Sequence, residues 1–395
     1  MNRTNTIAAS CLLGISTTLA LAGGGEAPQI RVIEFPQEHD DYVDVEFSGD
    51  GSSIAYTGEW NLSWDIYLHR GDQWKLVSRS INEVAPGPLL FGLSDDGSKA
   101  VISDWSYTSV YQDGTTIFMP KSWYERGGVD GYGTTFYSGA ISGDGSAVGY
   151  SPRPGDSDDN KPALVWRGER YAEVVLVDPE EDGVDYEIVS LSFDGLVAAV
   201  NARYQAPHNN IRSFFAHREA WIVSNDELLM VPPIDADYEV LMSATEVSGN
   251  GQAVIGYAYG VWREGFQDNR PILDELNDDL VFGPNRSWFW SHETGTIEIA
   301  NPDRFESIST WDITDDASTV LGSGSSGDGP ELQQFLWFSE DNRFVMIDDL
   351  FTKLGIVIDA DWYSFSQISG DGSKLMGILS RDDQHAAIIV TIPVR

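Results

Sequence analysis

The sequence has little of what many ligand sites are built from. Its 395 residues include one cysteine, Cys11, six histidines, and only 24 Lys and Arg against 62 Asp and Glu. Nucleic-acid binding requires a basic stripe, so a net charge of −38 argues against such a partner and also against an anionic membrane surface. A single cysteine allows no internal disulfide. The chain is nevertheless 42% hydrophobic and 12% aromatic, which is enough for a large folded core rather than disorder.

A targeting segment is predicted at residues 1–22. Arg3 supplies the positive charge, residues 11–21 are apolar or small, and residues 20–22 form a small-x-small cleavage site. The apolar run is shorter than the ~20 residues of a membrane span. A lipoprotein signal built on Cys11 is the alternative, but no hydrophobic stretch precedes that residue. We therefore expect a cleaved signal peptide, a linker at 23–29, and an exported chain, secreted or periplasmic, of net charge 23 − 62 = −39.

One short motif, in its full form Ser-Gly-Asp-Gly-Ser, occurs seven times in the sequence. Asp-Gly and Asn-Gly between apolar runs are strong hairpin signals, because Gly takes a positive φ freely and Asp or Asn caps the turn with its own side chain. The copy at 314–318 has Ala317 in place of the turn Gly, and the copy at 192–195 has Phe193 in the second position. The copies lie at 48–52, 94–98, 142–146, 192–195, 248–251, 314–318 and 369–373.

Each turn is flanked by two short runs of strand composition, and most units add a second hairpin with an aromatic-rich first strand. Four strands in each unit of ~40–55 residues are typical of a β-propeller blade. The second hairpins are predicted at 65–77, 109–119, 163–177, 220–231, 287–299 and 335–347.

The two ends of the chain complement each other. The seventh unit has runs at 375–379 and 386–394 and then stops without a fourth strand, while an extra β-rich run lies at 29–35. An N-terminal strand that completes the last blade closes the ring and removes its open edges. We therefore predict an all-β fold, a seven-bladed β-propeller of four-stranded antiparallel blades over residues 30–395; an open β-solenoid is the alternative.

These units resemble known repeats. Residues 47–57 followed by 64–68 resemble the WD40-like repeat of TolB-type propellers. Residues 141–150 and 368–378, with strands such as 335–338, are similar to the bacterial extracellular HAF-type repeat. The resemblance covers nearly the whole chain after the signal and implies the propeller fold, but it brings no catalytic residue.

The predicted loops differ in length between the two faces of the ring. With strands named A to D from the inside, the A–B and C–D turns are short and share one face. The other face, which we call the long-loop face, carries connections such as 152–162, 203–219, 259–286, 121–134 and 348–362. Long loops on a rigid scaffold are where binding and catalysis concentrate.

Aromatic and arginine side chains are frequent along these loops. Flat aromatics stack on sugar rings and forked Arg groups hold carboxylates or sulfates, so the set suits an extended polar ligand such as an anionic glycan. The structural alternative is that each Trp fills space between blades and each Arg pairs with an acid. The candidate ligand-binding residues are Trp60, Trp64, Trp105, Trp123, Arg126, Arg153, Arg218, Trp262, Arg263 and Trp362.

One loop combines residue types that a polysaccharide lyase needs. Such an enzyme takes a proton with His or Tyr and neutralises the neighbouring carboxylate with a cation. Tyr204, His208, Arg212 and His217, followed by Arg218, are therefore the catalytic candidates of an alternative enzyme function.

No cofactor motif is present in the sequence, and we expect no cofactor. The acidic stretches 156–160 and 178–182 could hold Ca²⁺ but lack the spacing of an EF-hand loop. We expect a monomeric binding or interaction module whose ligand is a glycan or a protein, without nucleic-acid binding or membrane insertion.

Overall fold

The structure is a computed structural model that describes residues 28–36, 41–60, 63–79, 89–103, 108–118, 136–152, 163–168, 172–177, 184–204, 218–224, 227–234, 240–262, 281–301, 303–326, 332–382 and 384–393. The strands of its first half are β1 (Gln29–Glu34), β2 (Asp41–Phe47), β3 (Ser53–Trp60), β4 (Ser63–Arg70), β5 (Gln73–Arg79), β6 (Leu89–Leu93), β7 (Lys99–Ser103), β8 (Thr108–Gln112), β9 (Thr115–Phe118), β10 (Phe136–Ile141), β11 (Ala147–Pro152), β12 (Ala163–Arg167), β13 (Ala172–Val177) and β14 (Val184–Leu191). The later elements are β15 (Val197–Tyr204), β16 (Arg218–Ser224), β17 (Glu227–Met230), β18 (Val240–Val247), β19 (Ala253–Trp262), β20 (Val281–Ser291), β21 (Gly295–Ile299), β22 (Ser307–Ile313), β23 (Thr319–Ser325), β24 (Leu332–Phe338), β25 (Arg343–Met346), α1 (Ile347–Leu354), β26 (Trp362–Ile368), β27 (Lys374–Arg381) and β28 (Gln384–Thr391).

The strands form seven four-stranded antiparallel sheets, which are the blades of a propeller. Six blades are consecutive meanders, from β2-β3-β4-β5 in blade 1 to β22-β23-β24-β25 in blade 6. Blade 7 has the order β26-β27-β28-β1, with Gln29 opposite Thr391 and Glu34 opposite Ala386. The N-terminal strand therefore closes the ring, and the predicted seven-bladed fold is confirmed.

The repeated motif forms the same turn in every blade. In blade 1 the amide of Gly51 donates to the carbonyl of Ser48 at 2.7 Å, and Asp50 Oδ1 accepts from the Ser52 amide and the Ser48 hydroxyl. Gly51 takes a φ of 66°, which Gly adopts without steric cost. Ala317 occupies the equivalent position at a φ of 62°, and its amide still donates to Thr314 at 3.0 Å. The turn geometry therefore persists where the motif is degenerate.

Side chains of one blade satisfy the backbone of the next at the bulges of the inner strands. The inner strand of blade 5 is irregular between Ala244 and Glu246, and Asn201 of blade 4 bonds both the amide and the carbonyl of Ala244, at 2.7 and 3.1 Å. Gln334 of blade 6 bonds the amide and carbonyl of Phe365 of blade 7 in the same way. Buried backbone groups need such partners, so the blades are joined by polar bonds as well as by packing.

The hydrophobic core lies between neighbouring blades. Its largest fully buried side chains include Trp166, Trp288 and Trp337, which occupy the third strands of blades 3, 5 and 6. Trp166 stacks on Tyr150 with ring centroids 3.8 Å apart. The aromatic-rich C strands of the sequence therefore supply the packing between sheets.

Some boundaries differ from the sequence prediction. Residues 347–354 form the helix α1, with Asp348 and Asp349 in its first turn and Gly355 at its C-terminus at a φ of 69°, within what we expected to be an irregular crossover. Strands also extend into two expected loops, since β15 continues to Tyr204 and β19 to Trp262. No helix among the described residues is long and apolar enough to cross a membrane.

Candidate functional site: the central channel and the long-loop face

The seven inner strands surround a central channel that encloses a cavity of about 680 Å³. Residues from β2, β6, β10, β14, β18, β22 and β26 all line it. At each inner strand, the residue two positions before the turn Ser or Thr lines this channel, and we call these seven residues the channel ring. The ring consists of Glu46, Gly92, Ala140, Ser190, Glu246, Asp312 and Gln367.

The A–B turns form a second ring at one end of the channel. Backbone hydrogen bonds of 2.8 to 3.3 Å link each turn to the next, and the bond from the Gly370 amide to the Gly49 carbonyl closes the circle. The second residues of the seven turns, which we call the turn ring, are Gly49, Asp95, Gly143, Phe193, Gly249, Asp315 and Gly370. A continuous circle of bonds between turns makes this end of the channel rigid.

Two carboxylates lie over glycines of the turn ring. A Cβ added at Gly49 or Gly143 would come within 2.6 Å of atoms of Asp95, and one added at Gly249 or Gly370 would come within 2.2 Å of Asp315. Burial and then the charge of Asp315 raise the pKa of Asp95 to about 6. Two acidic side chains therefore lie at the turn end of the channel, and the charge of Asp315 helps to raise the pKa of Asp95.

The polar members of the channel ring link neighbouring blades. Gln367 of blade 7 accepts from the Phe47 amide of blade 1 at 2.8 Å and donates to Glu46 at 3.0 Å. Asp312 accepts from the Ile368 amide of the next blade at 2.7 Å. Ser190 accepts from the Val247 amide at 3.2 Å and donates its hydroxyl to Glu246. The polar side chains in this part of the channel are therefore accounted for by hydrogen bonds between neighbouring blades.

The acids of the channel wall hold their protons unusually tightly. Removal from bulk water, reinforced by the charge of Asp44, raises the pKa of Glu46 to about 8. Burial also raises the pKa of Asp312 to about 7, although the amides of Ile368 and Ile313 oppose the shift. The pKa of Glu246 is raised by burial first and then by the charge of Asp312. A channel wall of this kind is only partly ionised near neutral pH.

The described wall of the cavity contains acids but no base. It includes six carboxyl side chains and no Lys, Arg or His. In the described part of the chain, no three His, Cys, Asp or Glu side chains are grouped so that they could hold a metal ion. The acidic stretches 156–160 and 178–182, singled out for Ca²⁺, lie outside the described residues. The six carboxyl side chains belong to Asp44, Glu46, Asp95, Glu246, Asp312 and Asp315.

Trp311 also belongs to the cavity wall and was not among the residues predicted from the sequence. It is the residue at which the ladder between β22 and β23 shifts register, it is 47% exposed, and it lines the cavity. Its indole Nε1 donates to Ser323 at 3.1 Å. Bulges often re-aim side chains at functional sites, and this one turns an indole into the channel.

The predicted ligand-binding residues and catalytic candidates fall into three groups. Trp362 begins β26 at the long-loop end and is 47% exposed, while Trp64 in β4 is partly buried. Four candidates that we expected in loops lie at strand ends instead, because the flanking ladders extend further than the motif indicates: Trp60, Tyr204, Arg218 and Trp262. The others lie outside the described residues: Trp105, Trp123, Arg126, Arg153, His208, Arg212, His217 and Arg263.

Two arginines near the long-loop ends of strands are paired with acids. Arg79 forms a forked bond with the buried Asp65, at 2.7 to 3.1 Å, and Arg286 pairs with Glu298. Both arginines therefore bind acids of their own chain, as the structural alternative predicts for arginine in an acidic protein.

The channel ring could have been noticed in the sequence. Its members stand two positions before each turn Ser or Thr, and five of the seven are polar within otherwise strand-like runs. An alternating strand pattern alone does not show which face of an inner strand meets the channel, because the bulges change the register there.

The fold and the channel together define the class of the protein, a closed seven-bladed β-propeller. No family model matches the sequence, and no curated protein matches it. Among solved structures, the chain is similar to an oligogalacturonate lyase in complex with manganese, with a TM-score of 0.54 and 12% identity over 96% of both chains. An oligogalacturonate lyase from Vibrio parahaemolyticus has a TM-score of 0.52 and 10% identity over 94% of this chain and 99% of its own.

TolB is also among the structural neighbours. The protein from Acinetobacter baumannii has 12% identity and a TM-score of 0.39 over 82% of this chain and 64% of its own. Identities this low concern the fold only. The HAF-type assignment stays a prediction.

Proposed function

We propose that the chain is an exported binding module that holds an extended polar ligand, a glycan, on the long-loop face above the central channel. The observation that carries this proposal is the difference between the two ends of the ring. At one end, seven tight turns are joined by a circle of backbone bonds. At the other end lie the longest connections, and long loops on a rigid scaffold are where ligands are held.

An anionic glycan was the ligand expected from the loop arginines. The described cavity offers no cation for it, so anionic groups would depend on the arginines predicted along the long loops, Arg126, Arg153 and Arg263, which lie outside the described residues. Trp362, half exposed at the long-loop end of an inner strand, is the described residue placed to stack on a sugar ring.

The test is a glycan array with the purified chain, followed by affinity measurements on wild type, Trp362→Ala and Phe118→Ala. Trp362→Ala should weaken binding of any array hit about tenfold, because one stacking face is lost. Phe118→Ala is the matched control, since Phe118 is 60% exposed on the outermost strand of blade 2. Binding that is equally strong in wild type and Trp362→Ala, or no binding to any glycan, contradicts the proposal.

A polysaccharide lyase is the second candidate function, favoured by the fold shared with one oligogalacturonate lyase over 96% of both chains. In this function Tyr204 or His208 would take the proton and Arg212 would hold the uronate carboxylate. The measurement is the absorbance of unsaturated uronate released from pectate, alginate and ulvan, with and without Mn²⁺. A signal that disappears in His208→Ala supports the enzyme function. The absence of a signal with all three polysaccharides excludes a lyase that uses these residues.

A further inference from the structure

The position of Trp311 distinguishes it from the buried tryptophans of the core. Trp166, Trp288 and Trp337 are at most 1% exposed and fill the space between blades. Trp311 is 47% exposed although it belongs to an inner strand, because the bulge directs it into the cavity. Packing between blades therefore does not account for this side chain.

The orientation of the indole is fixed before any ligand arrives. Its Nε1 donates to the hydroxyl of Ser323 in the neighbouring strand β23. Ser323 pairs with Ser309 of β22, which lies on the long-loop side of the bulge. With the polar edge satisfied inside its own blade, no part of the indole needs water as a hydrogen-bond partner. A rigid aromatic face binds with a small loss of conformational entropy.

The volume of the cavity suits a ligand group of moderate size. About 680 Å³ falls within the range of roughly 300–1,000 Å³ that is usual for small-molecule sites. Gln367 and Asp312 border the same cavity and keep one amide hydrogen and several oxygen lone pairs beyond those used in their bonds to the backbone and to Glu46. An aromatic face beside polar groups is the combination that a sugar ring requires.

The charge of the wall decides which sugar fits. Six carboxyl side chains and no base line the described cavity, so a uronate carboxylate would meet only groups of its own sign or neutral acids. Like charges in a partly dehydrated site repel strongly. A hydroxyl or an ammonium group meets acceptors instead.

We propose that Trp311 is the stacking platform of the ligand site, and that the sugar unit held in the channel is neutral or carries an amine rather than a carboxylate. This inference rests on the proposed glycan-binding function and specifies its ligand. Anionic units remain compatible only with the rim outside the channel.

The test is calorimetry with three linear hexasaccharides, of glucose, glucosamine and galacturonate. We expect glucose or glucosamine oligomers to bind more tightly than galacturonate oligomers. Trp311→Ala should weaken that binding about tenfold, whereas Trp311→Phe, which keeps an aromatic face, and Phe118→Ala should stay within about twofold of wild type. Circular dichroism and Tm establish that each variant is folded.

A second variant tests the role of the charge separately. Measured at pH 9, above the folded pKa of about 8, Glu46→Gln removes one charged carboxylate from the channel wall, so the ratio of galacturonate to glucose affinity should rise about threefold or more. An unchanged ratio contradicts the charge argument.

The outcomes separate the two proposals. Tightest binding of galacturonate, or a Kd for glucose or glucosamine oligomers that Trp311→Ala leaves unchanged, overturns this inference and leaves the binding module intact. No binding of any hexasaccharide, together with a blank glycan array, overturns both.

Discussion

The stability of the propeller should fall as the pH rises through the neutral range, because the channel ring buries acids. A carboxyl group whose pKa is higher in the folded than in the unfolded chain contributes stability that is complete at low pH and lost as the pH passes the folded value. For Glu46 these values are about 8 and the ordinary 4.5. The loss therefore falls between pH 5 and pH 8.5.

The magnitude follows from the width of that interval. From pH 5.5 to the folded pKa of about 8 there are about 2.5 pH units, and at about 1.36 kcal/mol each they amount to about 3 kcal/mol for Glu46. We therefore expect a loss of about 1 to 3 kcal/mol in the free energy of unfolding. Per-residue unfolding entropies convert this range to about 1 to 4 °C in Tm for a domain of this length.

The assay is calorimetric Tm against pH for wild type, Glu46→Gln and Glu227→Gln. Glu227 is exposed on β17, so its replacement removes the same formal charge outside the channel. Glu46→Gln should flatten the decline between pH 5.5 and 8.5, and Glu227→Gln should follow wild type. A wild-type Tm that stays level over this range, or parallel curves for all three proteins, refutes the reasoning.

Three further predictions concern the scaffold. Asn201→Leu leaves the buried amide and carbonyl of Ala244 without their side-chain partners. It should lower the free energy of unfolding by about 2 to 4 kcal/mol in urea titrations, with the exposed Gln252→Leu as control. Equal urea midpoints for wild type and Asn201→Leu contradict this prediction. Gly377→Ala places a Cβ 1.9 Å from the Ser364 carbonyl and should cost about 3 kcal/mol or more, a loss that a soluble variant with wild-type Tm would disprove. Deletion of residues 1–36 removes β1 and should lower the Tm and expose blade 7 to limited proteolysis; an unaltered digest argues against closure by this strand.

The fold could be predicted because its signals are local. The Asp-Gly turn depends on residues within one motif, as the bonds from Ser52 and Ser48 to Asp50 show, and its sevenfold recurrence gives the number of blades. Helix α1 also had local signals, acids in the first turn and Gly355 at the end, but eight residues are too few for a clear periodicity.

The site was harder to predict because it depends on distant contacts and on strand register. Gln367 and Glu46 are 321 residues apart in the chain yet share a hydrogen bond at the ring closure. Trp311 and Trp337 both lie within runs of strand composition, so the sequence alone does not tell their environments apart. Only the bulge in β22 exposes the first in the channel while the second is buried.

The most direct test of the central claim is hydrogen–deuterium exchange of the chain with and without a bound oligosaccharide from the glycan array. We expect protection to appear on the long-loop face, around Trp362 and along the inner strands near Trp311. The A–B turns, already joined by their circle of backbone bonds, should change little. Protection concentrated at turns such as 94–98 and 314–318 instead would contradict the claim that the long-loop face is the binding face.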